Sequence, residues 1–316
     1  MAKNKPIKIV FFGTPDITLK SFNFFINSED YEVLALVTQK AKEANRGRKI
    51  IQRNITKIAL ENSISVFEPD KISKDEKIIE QLRALEPDFF VTFAFGQILS
   101  QEVIDIPKVA TINLHASLLP EYRGANPIAQ SIIDGKTKTG ISTMKTVLEL
   151  DAGDICLQEE IEITPEMNVV ELMEKISELS PCLLDKTLKG LYDGEILTVC
   201  QDDTCATFCK KMKKEEKVID WQMDALSLHN KIRGMFQLNT NHTIYEGKIV
   251  KVLKTSVVEG VSGDCGEVWE VSKDGIVVCC AYDALKLILV KPEGKGEMSA
   301  SAWANGARIK KGAKFK

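Results

Sequence analysis

The chain has 316 residues, of which 44% are hydrophobic and 28% are charged, and its formal net charge at pH 7 is −3. This length and composition suffice for a well-buried globular core and predict two domains. The N-terminal run IKIVFFG has the length of a strand, and neither a membrane-length apolar stretch nor a small-residue cleavage site accompanies it. We therefore expect neither a membrane span nor an export signal.

Cysteine usage and charge distribution restrict the function classes further. The eight cysteines form no C-x-x-C pair, which favours reduced thiols in a cytoplasm over a zinc site or a disulfide framework. We expect no metal cofactor. Residues 207–316 carry a net charge of +6, whereas the residues before them carry −9. A basic C-terminal region permits a polyanionic partner without requiring one, because a modest positive excess is also common on solvated surfaces.

The first half of the chain alternates strand-like and helical segments, which predicts an α/β fold with buried parallel strands. We expect the first helix to begin directly after the first strand, with Thr14 as its N-cap and Pro15 at its first position. The strand-like runs are IKIVFFG, YEVLALVT, ISVFEP, DFFVTFAFG and VATINLHA, and the helical stretches between them are PDITLKSFNFFIN, IIQRNITKIALEN and SKDEKIIEQLRAL.

The second half begins with two more strand-like runs and a long helical stretch over residues 169–193, broken or kinked near Pro181. The pattern lapses over residues 195–205. One short helix and several strand-like runs with glycine-bearing turns follow, which predicts a small β-barrel-like domain. We therefore divide the chain into a first domain at 1–194, a linker at 195–206 and a second domain at 207–316.

The segment INLHASLLPEYRGANP holds one of only three histidines, at the point where a buried strand gives way to a Pro/Gly-rich loop. If the strand continues, Asn113, His115 and Ser117 alternate onto one face at its C-terminal end, where open α/β sheets bind ligands. An amide and an imidazole there can polarise a carbonyl, stabilise an oxyanion and move a proton, which indicates acyl transfer. An isolated N-x-H is more commonly explained as a histidine buried in the core next to residues that form a turn.

A second polar cluster, ELDAGDI, forms an acidic turn between two strand-like runs. Asp151 can orient and charge-stabilise His115 if the fold brings the strand ends together. An ordinary Asp/Gly hairpin turn is the alternative.

Three further segments are ambiguous by themselves. FFGTPD lacks G-x-G-x-x-G, so a dinucleotide role has little support. FAFG offers an aromatic and backbone wall for a flat heterocycle, or only the end of a core strand. The basic stretches KAKEANRGRKI and FCKKMKKEE suit phosphate contacts, although such charge runs are usually just solvated.

Together, the segments FFGTPD, FAFGQIL, INLHASLLPEYRGANPIAQSIIDGKTKTGISTM and LDAGDI resemble the folate-dependent formyltransferase family over nearly the whole chain, in order and at suitable intervals. The resemblance implies an α/β fold with a Rossmann-like N-terminal formyltransferase domain and a smaller C-terminal OB-like β-barrel domain. In the family the N-x-H pair and the aspartate of the D-x-G turn are catalytic, which places these roles on Asn113, His115 and Asp151. The expected folate contacts are Ser117, Leu118, Leu119 and Pro120, together with Phe93, Ala94, Phe95 and Gly96.

The C-terminal region decides between branches of this family. CKKMKKEEKVIDW, HNKIRGMF and LKLILVKPEGKGEMSASAWANG resemble the C-terminal domain of the methionyl-tRNA formyltransferases. This resemblance implies formyl transfer from 10-formyltetrahydrofolate to the α-amino group of methionine on initiator methionyl-tRNA, by a cytoplasmic enzyme that we take to be a monomer. The expected tRNA contacts are Arg46, Gly47, Arg48, Lys49, Lys210 and Lys211.

Other functions remain open at this stage. The runner-up is formylation of a small amine, chiefly an amino sugar nucleotide, because such enzymes share the catalytic residues. A non-catalytic RNA-binding protein with a decayed active site is a second alternative, against which the intact Asn113, His115 and Asp151 set argues. A dinucleotide oxidoreductase is a third.

Overall fold

A computed structural model of the chain describes residues 5–41, 43–44, 49–50, 52–211, 213, 215–238 and 240–316. The chain divides into two compact units, the first comprising Met1–Gly124, Gly140–Ile161 and Met173–Phe208, and the second Ala125–Thr139, Glu162–Leu172 and Cys209–Lys316. Within the described ranges, no helix has the length and apolar character that crossing a membrane requires.

The elements up to residue 192 follow the predicted alternation. The strands are β1 (Ile7–Gly13), β2 (Tyr31–Val37), β3 (Glu43–Ala44), β4 (Lys49–Ile50), β5 (Ser65–Phe67), β6 (Phe89–Phe93), β7 (Ala110–His115), β8 (Arg123–Gly124), β9 (Lys138–Lys145) and β10 (Ile155–Glu162). The helices are α1 (Leu19–Asn27), α2 (Asn54–Glu61), α3 (Glu76–Ala84), α4 (Gln101–Ile104), α5 (Pro127–Ile133) and α6 (Val169–Tyr192).

The main sheet of the first unit has the strand order β10-β9-β7-β6-β1-β2-β5. Neighbouring strands from β7 to β5 run parallel, whereas β9 runs antiparallel to β7. The sheet is therefore mixed: the five strands predicted to be parallel are parallel, and β9, whose direction was not predicted, is antiparallel. A parallel β9 would need a crossover connection, whereas α5, the helix between β7 and β9, belongs to the second unit.

The register of the parallel strands fixes where the chemistry can lie. Gly13 pairs with Phe93, and Phe93 pairs with Leu114, so that β1, β6 and β7 end at one edge of the sheet. The residues that follow each strand are therefore neighbours across this edge. In parallel sheets this carboxyl edge is the usual place for a ligand.

Two local predictions for the first unit are wrong. Thr14 is not an N-cap, because Pro15 precedes a short 3-10 helix at Asp16–Thr18. The Thr14 oxygen instead accepts the backbone N–H of Gln39 at 3.3 Å, while its hydroxyl donates to the Phe95 carbonyl at 3.2 Å. Of the predicted break or kink near Pro181, the break is absent, because α6 runs continuously from Val169 to Tyr192. A proline removes only one backbone donor, and the buried apolar face of the helix continues through Leu183, Leu184 and Leu188.

The remaining elements follow residue 192. The strands are β11 (Phe208–Cys209), β12 (His242–Tyr245), β13 (Lys248–Val258), β14 (Val268–Ser272), β15 (Gly275–Cys279), β16 (Ala284–Pro292) and β17 (Met298–Ser299), and those from β12 onward belong to the second unit. The helices are α7 (Ala225–Gly234) and α8 (Ala300–Ala307). The antiparallel order is β12-β13-β16-β15-β14, with β17 beside β16. In the described residues no pairing closes this sheet into a barrel.

Helix α7 is fixed within the second unit by buried polar side chains. The Arg233 guanidinium donates to the carbonyls of Met167 and Thr164, at 2.6 and 3.3 Å, although this arginine is only 8% exposed. His229 is equally buried, and its Nδ1 lies 2.9 Å from the Thr255 hydroxyl. The basic character of HNKIRGMF therefore serves the folding of this unit in part.

The burial of His229 predicts a loss of stability in acid. Desolvation lowers the pKa of His229, so the folded state binds its proton less readily than the unfolded chain, whose histidines titrate near about pH 6.5. Above about pH 6.5 the neutral ring contributes its full share to the free energy of unfolding. This contribution is lost as the pH falls from about 6.5 toward the lower pKa of the folded state. Urea unfolding at about pH 7.5 and about pH 5.5 should show a smaller loss for His229→Gln than for the wild type. Equal pH dependence of the wild type and His229→Gln would contradict this account.

Candidate active site

Two elements bring the candidate catalytic side chains together. Asn113 and His115 lie at the end of β7, and Asp151 lies in the turn that joins β9 to β10. Because β9 pairs with β7, with Ser142 opposite His115, the turn after β9 returns to the end of β7. The antiparallel pairing of β9 with β7, which was not predicted from the sequence, thus creates the approach of Asp151 to His115.

His115 faces an acceptor at each ring nitrogen. Nε2 lies 2.9 Å from the carbonyl oxygen of Tyr122, and since a carbonyl only accepts, Nε2 carries a proton. Nδ1 lies 3.6 Å from Oδ2 of Asp151, a separation of ion-pair length rather than a hydrogen bond. The two side chains are 7% and 12% exposed, so water screens their interaction weakly.

Asp151 is held from both its side chain and its backbone. Its Oδ2 accepts the backbone N–H of Gly124 at 2.8 Å, and its carbonyl accepts Nε2 of Gln201 at 2.8 Å. Its φ of 51° lies in the left-handed region, which costs a residue other than glycine about 1 kcal/mol or more. The surrounding contacts therefore determine this conformation.

The amide of Asn113 has a fixed orientation. Thr92, which pairs with Asn113 in the sheet register, donates its hydroxyl to Oδ1 of Asn113 at 2.8 Å. An amide whose oxygen is engaged in this way offers its Nδ2 hydrogens as donors. Asn113 is partly exposed, so this donor is available at the edge of the sheet.

Hydrogen bonds hold the segment that was predicted to contact folate, over Ser117, Leu118, Leu119 and Pro120. Strand β7 ends at His115, so Ser117 lies beyond it, and its buried hydroxyl donates to the carbonyl of Glu121 at 2.6 Å. The Ser142 hydroxyl donates to the carbonyl of Ser117 and accepts the N–H of Leu119. The three polar side chains expected on one face therefore do not form one continuous row.

The segment over Phe93, Ala94, Phe95 and Gly96 presents backbone rather than rings. Phe93 and Phe95 are 2% and 4% exposed, and Phe95 packs edge-on against Phe12 at a centroid distance of 5.3 Å. Ala94 and Gly96 are exposed, and both have positive φ. The aromatic part of FAFG is thus core, and Ala94 and Gly96 form its exposed part.

The predicted tRNA contacts fall in two places. Arg46, Gly47 and Arg48 lie outside the described residues, and Lys49 is described only as part of β4. Lys210 and Lys211 are exposed. For metals, the described ranges hold no cluster of three or more His, Cys, Asp or Glu side chains that could bind an ion.

The side chains that hold the site were not predicted from the sequence. Thr92 is the one polar residue in the otherwise apolar strand β6, and such a residue indicates a buried hydrogen bond. Ser142, Gln158 and Gln201 carried no such signal, because their partners are distant in sequence. Gln158, for example, donates to Ser142 and to the carbonyl of Leu119.

Comparison with known proteins identifies the family of this chain. The family model for formyl transferase matches residues 7–188, and the model for the formyl transferase C-terminal domain matches residues 211–308. The methionyl-tRNA formyltransferase of Clostridium botulinum (strain Alaska E43 / Type E3) is 41% identical over 96% of this chain and 98% of its own length. The chain belongs to the methionyl-tRNA formyltransferase family. The corresponding protein of Fusobacterium nucleatum is 39% identical over 98% of this chain and all of its own length.

Two solved structures share the fold at low identity. WlaRD, described as a sugar 3N-formyl transferase with dTDP and 5-N-formyl-THF, is 17% identical with a TM-score of 0.67, covering 93% of this chain and all of its own. HypX from Aquifex aeolicus with tetrahydrofolic acid gives a TM-score of 0.61 at 15% identity, covering 95% of this chain and 47% of its own.

The turn that carries Asp151 in this formyltransferase depends on Gly153. A Cβ at Gly153 would lie 1.8 Å from the carbonyl oxygen of Lys145, a backbone atom that cannot move away cheaply. Gly153→Ala should therefore lower the free energy of unfolding by about 2 kcal/mol. Urea denaturation measures this change.

Gly306→Ala is the matched control, because a Cβ there meets nothing within 4 Å and the residue lies in α8. It should leave stability unchanged or raise it by up to about 1 kcal/mol. Equal effects of the two substitutions would show that the turn tolerates a side chain.

Proposed function

We propose that this protein transfers the formyl group of 10-formyltetrahydrofolate to the α-amino group of methionine on initiator methionyl-tRNA. The product, N-formylmethionyl-tRNA, serves translation initiation in the cytoplasm. The observation that carries the proposal is the buried pair of His115 and Asp151 beside the Asn113 amide, in a chain of this family. The three residues bring together an acceptor for a proton, a positive charge and an amide donor.

The reaction is a direct acyl transfer. The amine nitrogen of methionine attacks the formyl carbon, and negative charge develops on the formyl oxygen. The bond to the folate nitrogen then breaks as the carbonyl reforms, the amine loses a proton, and the folate nitrogen gains one. The protein must therefore stabilise an oxyanion and manage one proton in each direction.

Each catalytic side chain has a distinct task in this reaction. Asn113 Nδ2 donates to the oxyanion, in the orientation that Thr92 fixes. His115, protonated at Nδ1 opposite Asp151, supplies positive charge; its Nε2–H is engaged by Tyr122, so at this geometry the ring acts through charge. Asp151 keeps His115 charged and oriented, and accepts the amine proton directly or through a water molecule.

The folate donor fits the peptide groups at the sheet edge. Ala94 and Gly96, exposed residues just after β6, are the proposed contacts for the flat heterocycle. The carbonyl of Phe95 is already engaged, by the Gln39 amide at 2.7 Å, so this loop has a fixed shape. The segment from Ser117 to Pro120, tied to Ser142, forms the other proposed contact.

The tRNA partner is assigned to the basic regions. We place its phosphates on Arg46, Gly47, Arg48, Lys49, Lys210 and Lys211, and we assign residues 1–194 to catalysis, 195–206 to a linker and 207–316 to an OB-like tRNA-binding domain. The antiparallel sheet of the second unit supports the last assignment. We take the protein to act as a monomer without a metal ion.

A panel of acceptors tests the proposal. The purified protein and 10-formyltetrahydrofolate are given methionyl initiator tRNA, methionyl elongator tRNA, a UDP-amino sugar or water alone, and formyl transfer is measured. Selective formylation of the initiator species is expected. Transfer to the sugar or to water without transfer to tRNA would refute the assigned acceptor while leaving the formyl donor in place.

Substitution of His115 should separate chemistry from binding. His115→Ala removes the charge beside the oxyanion but no tRNA contact, so kcat should fall about 10²- to 10⁴-fold with tRNA affinity nearly unchanged. Asp151→Asn should act through the same pair, and the double variant should lose little more than the worse single one. Equal losses of kcat and tRNA affinity in His115→Ala would contradict this role.

Salt dependence should report the proposed phosphate contacts. Lys210→Ala and Lys211→Ala should each weaken tRNA binding and reduce the slope of log affinity against log salt by about one. Filter binding over a range of salt concentrations measures the slope. Lys186→Ala, at an exposed lysine on α6, is the control and should leave the slope unchanged. An unaltered slope in both test variants would remove these lysines from the interface.

A further inference from the structure

A buried hydrogen-bond chain reaches the turn of Asp151 from a segment that the sequence presents as a linker. Gln201 is only 7% exposed, and its Nε2 donates to the carbonyls of Asp151 and Gly153, at 2.8 and 2.7 Å. Its Oε1 accepts Nε of Arg123 at 3.0 Å. Arg123, itself 1% exposed, donates through its terminal nitrogen to Oδ1 of Asp203 at 2.8 Å.

The orientation of this amide is determined by chemistry. A guanidinium carries donors and no acceptor, so the amide atom that faces Arg123 must be the oxygen. The Nε2 group is then directed at the turn, where two carbonyls receive its two hydrogens. Each carbonyl belongs to a residue of the D-x-G segment, so one side chain spans both ends of that segment.

The same chain is connected to the other side of the catalytic pair. The residues adjoining Arg123 supply the carbonyl of Tyr122, which accepts Nε2 of His115, and the N–H of Gly124, which donates to Oδ2 of Asp151. The backbone N–H of Arg123 also donates to the carbonyl of Thr207. The segment 201–207 thus links the histidine-bearing loop to the aspartate-bearing turn.

We propose that Gln201 is a positioning residue for Asp151, acting through the backbone of the turn and locked in orientation by Arg123. The left-handed φ of Asp151 explains why such a residue is needed, because that conformation is unfavourable without compensating contacts. Without Gln201 the turn relaxes and the carboxylate moves away from His115. The kinetic part of this inference rests on the proposed function.

Two substitutions separate positioning from folding. Gln201→Met keeps the volume but removes both the donors and the acceptor for Arg123. Gln201→Glu keeps an acceptor for the buried guanidinium, which protects the fold, and places oxygens against the two carbonyls, which repel them. Both variants should lower kcat about ten- to a hundredfold, with KM for the folate donor and for tRNA within about twofold.

Asn241 supplies the matched control. It is another buried amide that donates to two carbonyls, those of Glu216 and Lys217 at 3.3 and 3.2 Å, in the second unit. Asn241→Ala should lower stability but leave kcat unchanged. If it lowers kcat as much as the Gln201 variants, the effect is one of general destabilisation and the positioning role is refuted.

NMR of the imidazole groups provides a readout that needs no activity. The chain has only three histidines, so the resonances of His115 can be assigned by substitution of the other two. Gln201→Glu should shift the His115 resonances and Asn241→Ala should not. Unchanged His115 resonances and unchanged kcat in folded Gln201→Glu would overturn the inference. A wild-type protein inactive on every acceptor, whose His115 resonances still respond to Gln201→Glu, would refute the proposed function and uphold the positioning role.

Discussion

The desolvated approach of a carboxylate to an imidazole, at 3.6 Å between Asp151 and His115, is the constraint on which the proposed active site depends. Neither group is stable in a buried place without partners, because removing a charge from water costs several kcal/mol. The structure meets this cost with backbone groups: Gly124 N–H on the carboxylate and the Tyr122 carbonyl on the ring. Both come from one short stretch of chain, so the residues after His115 are as important to the pair as the strand before it.

The pair is assembled from segments that are far apart in sequence, and the sheet supplies the geometry. Parallel register sets Thr92 beside Asn113, and antiparallel register sets Ser142 opposite His115. The first contact orients the amide, and the second ties down the loop that follows β7. A sheet is stiff across its hydrogen bonds, so both side chains keep their places without a dedicated loop. Preorganisation of this kind lets a site stabilise charge without rearranging during the reaction.

The sequence predicted the parts of this arrangement that have local signals. The end of β7, the N-x-H pair and the D-x-G turn follow from hydrophobic runs and turn residues, and the structure brings His115 and Asp151 together. The antiparallel direction of β9 was not predicted, because a run of alternating residues shows a strand but not the direction in which it pairs. The Thr14 prediction was wrong because a tertiary donor, the backbone N–H of Gln39, occupies the oxygen that would cap the helix. The role of Gln201 could not be predicted from the sequence, because a glutamine in an irregular segment has no hydrophobic periodicity that would indicate its burial.

Burial also determines how much of the positive charge of residues 207–316 can bind a polyanion. Composition gives residues 207–316 a net charge of +6, yet not every cation in that region is available to a polyanion. Arg233 is committed to the carbonyls of Met167 and Thr164, and burial lowers the pKa of half-buried Lys231. Lys210 and Lys211, by contrast, are exposed just after β11. Counterions gather around exposed charges and are released when a phosphate replaces them, so only the exposed group contributes to salt-dependent binding. Solvent exposure therefore decides whether a basic residue stabilises the fold or can bind a nucleic acid, and net charge gives no information about exposure.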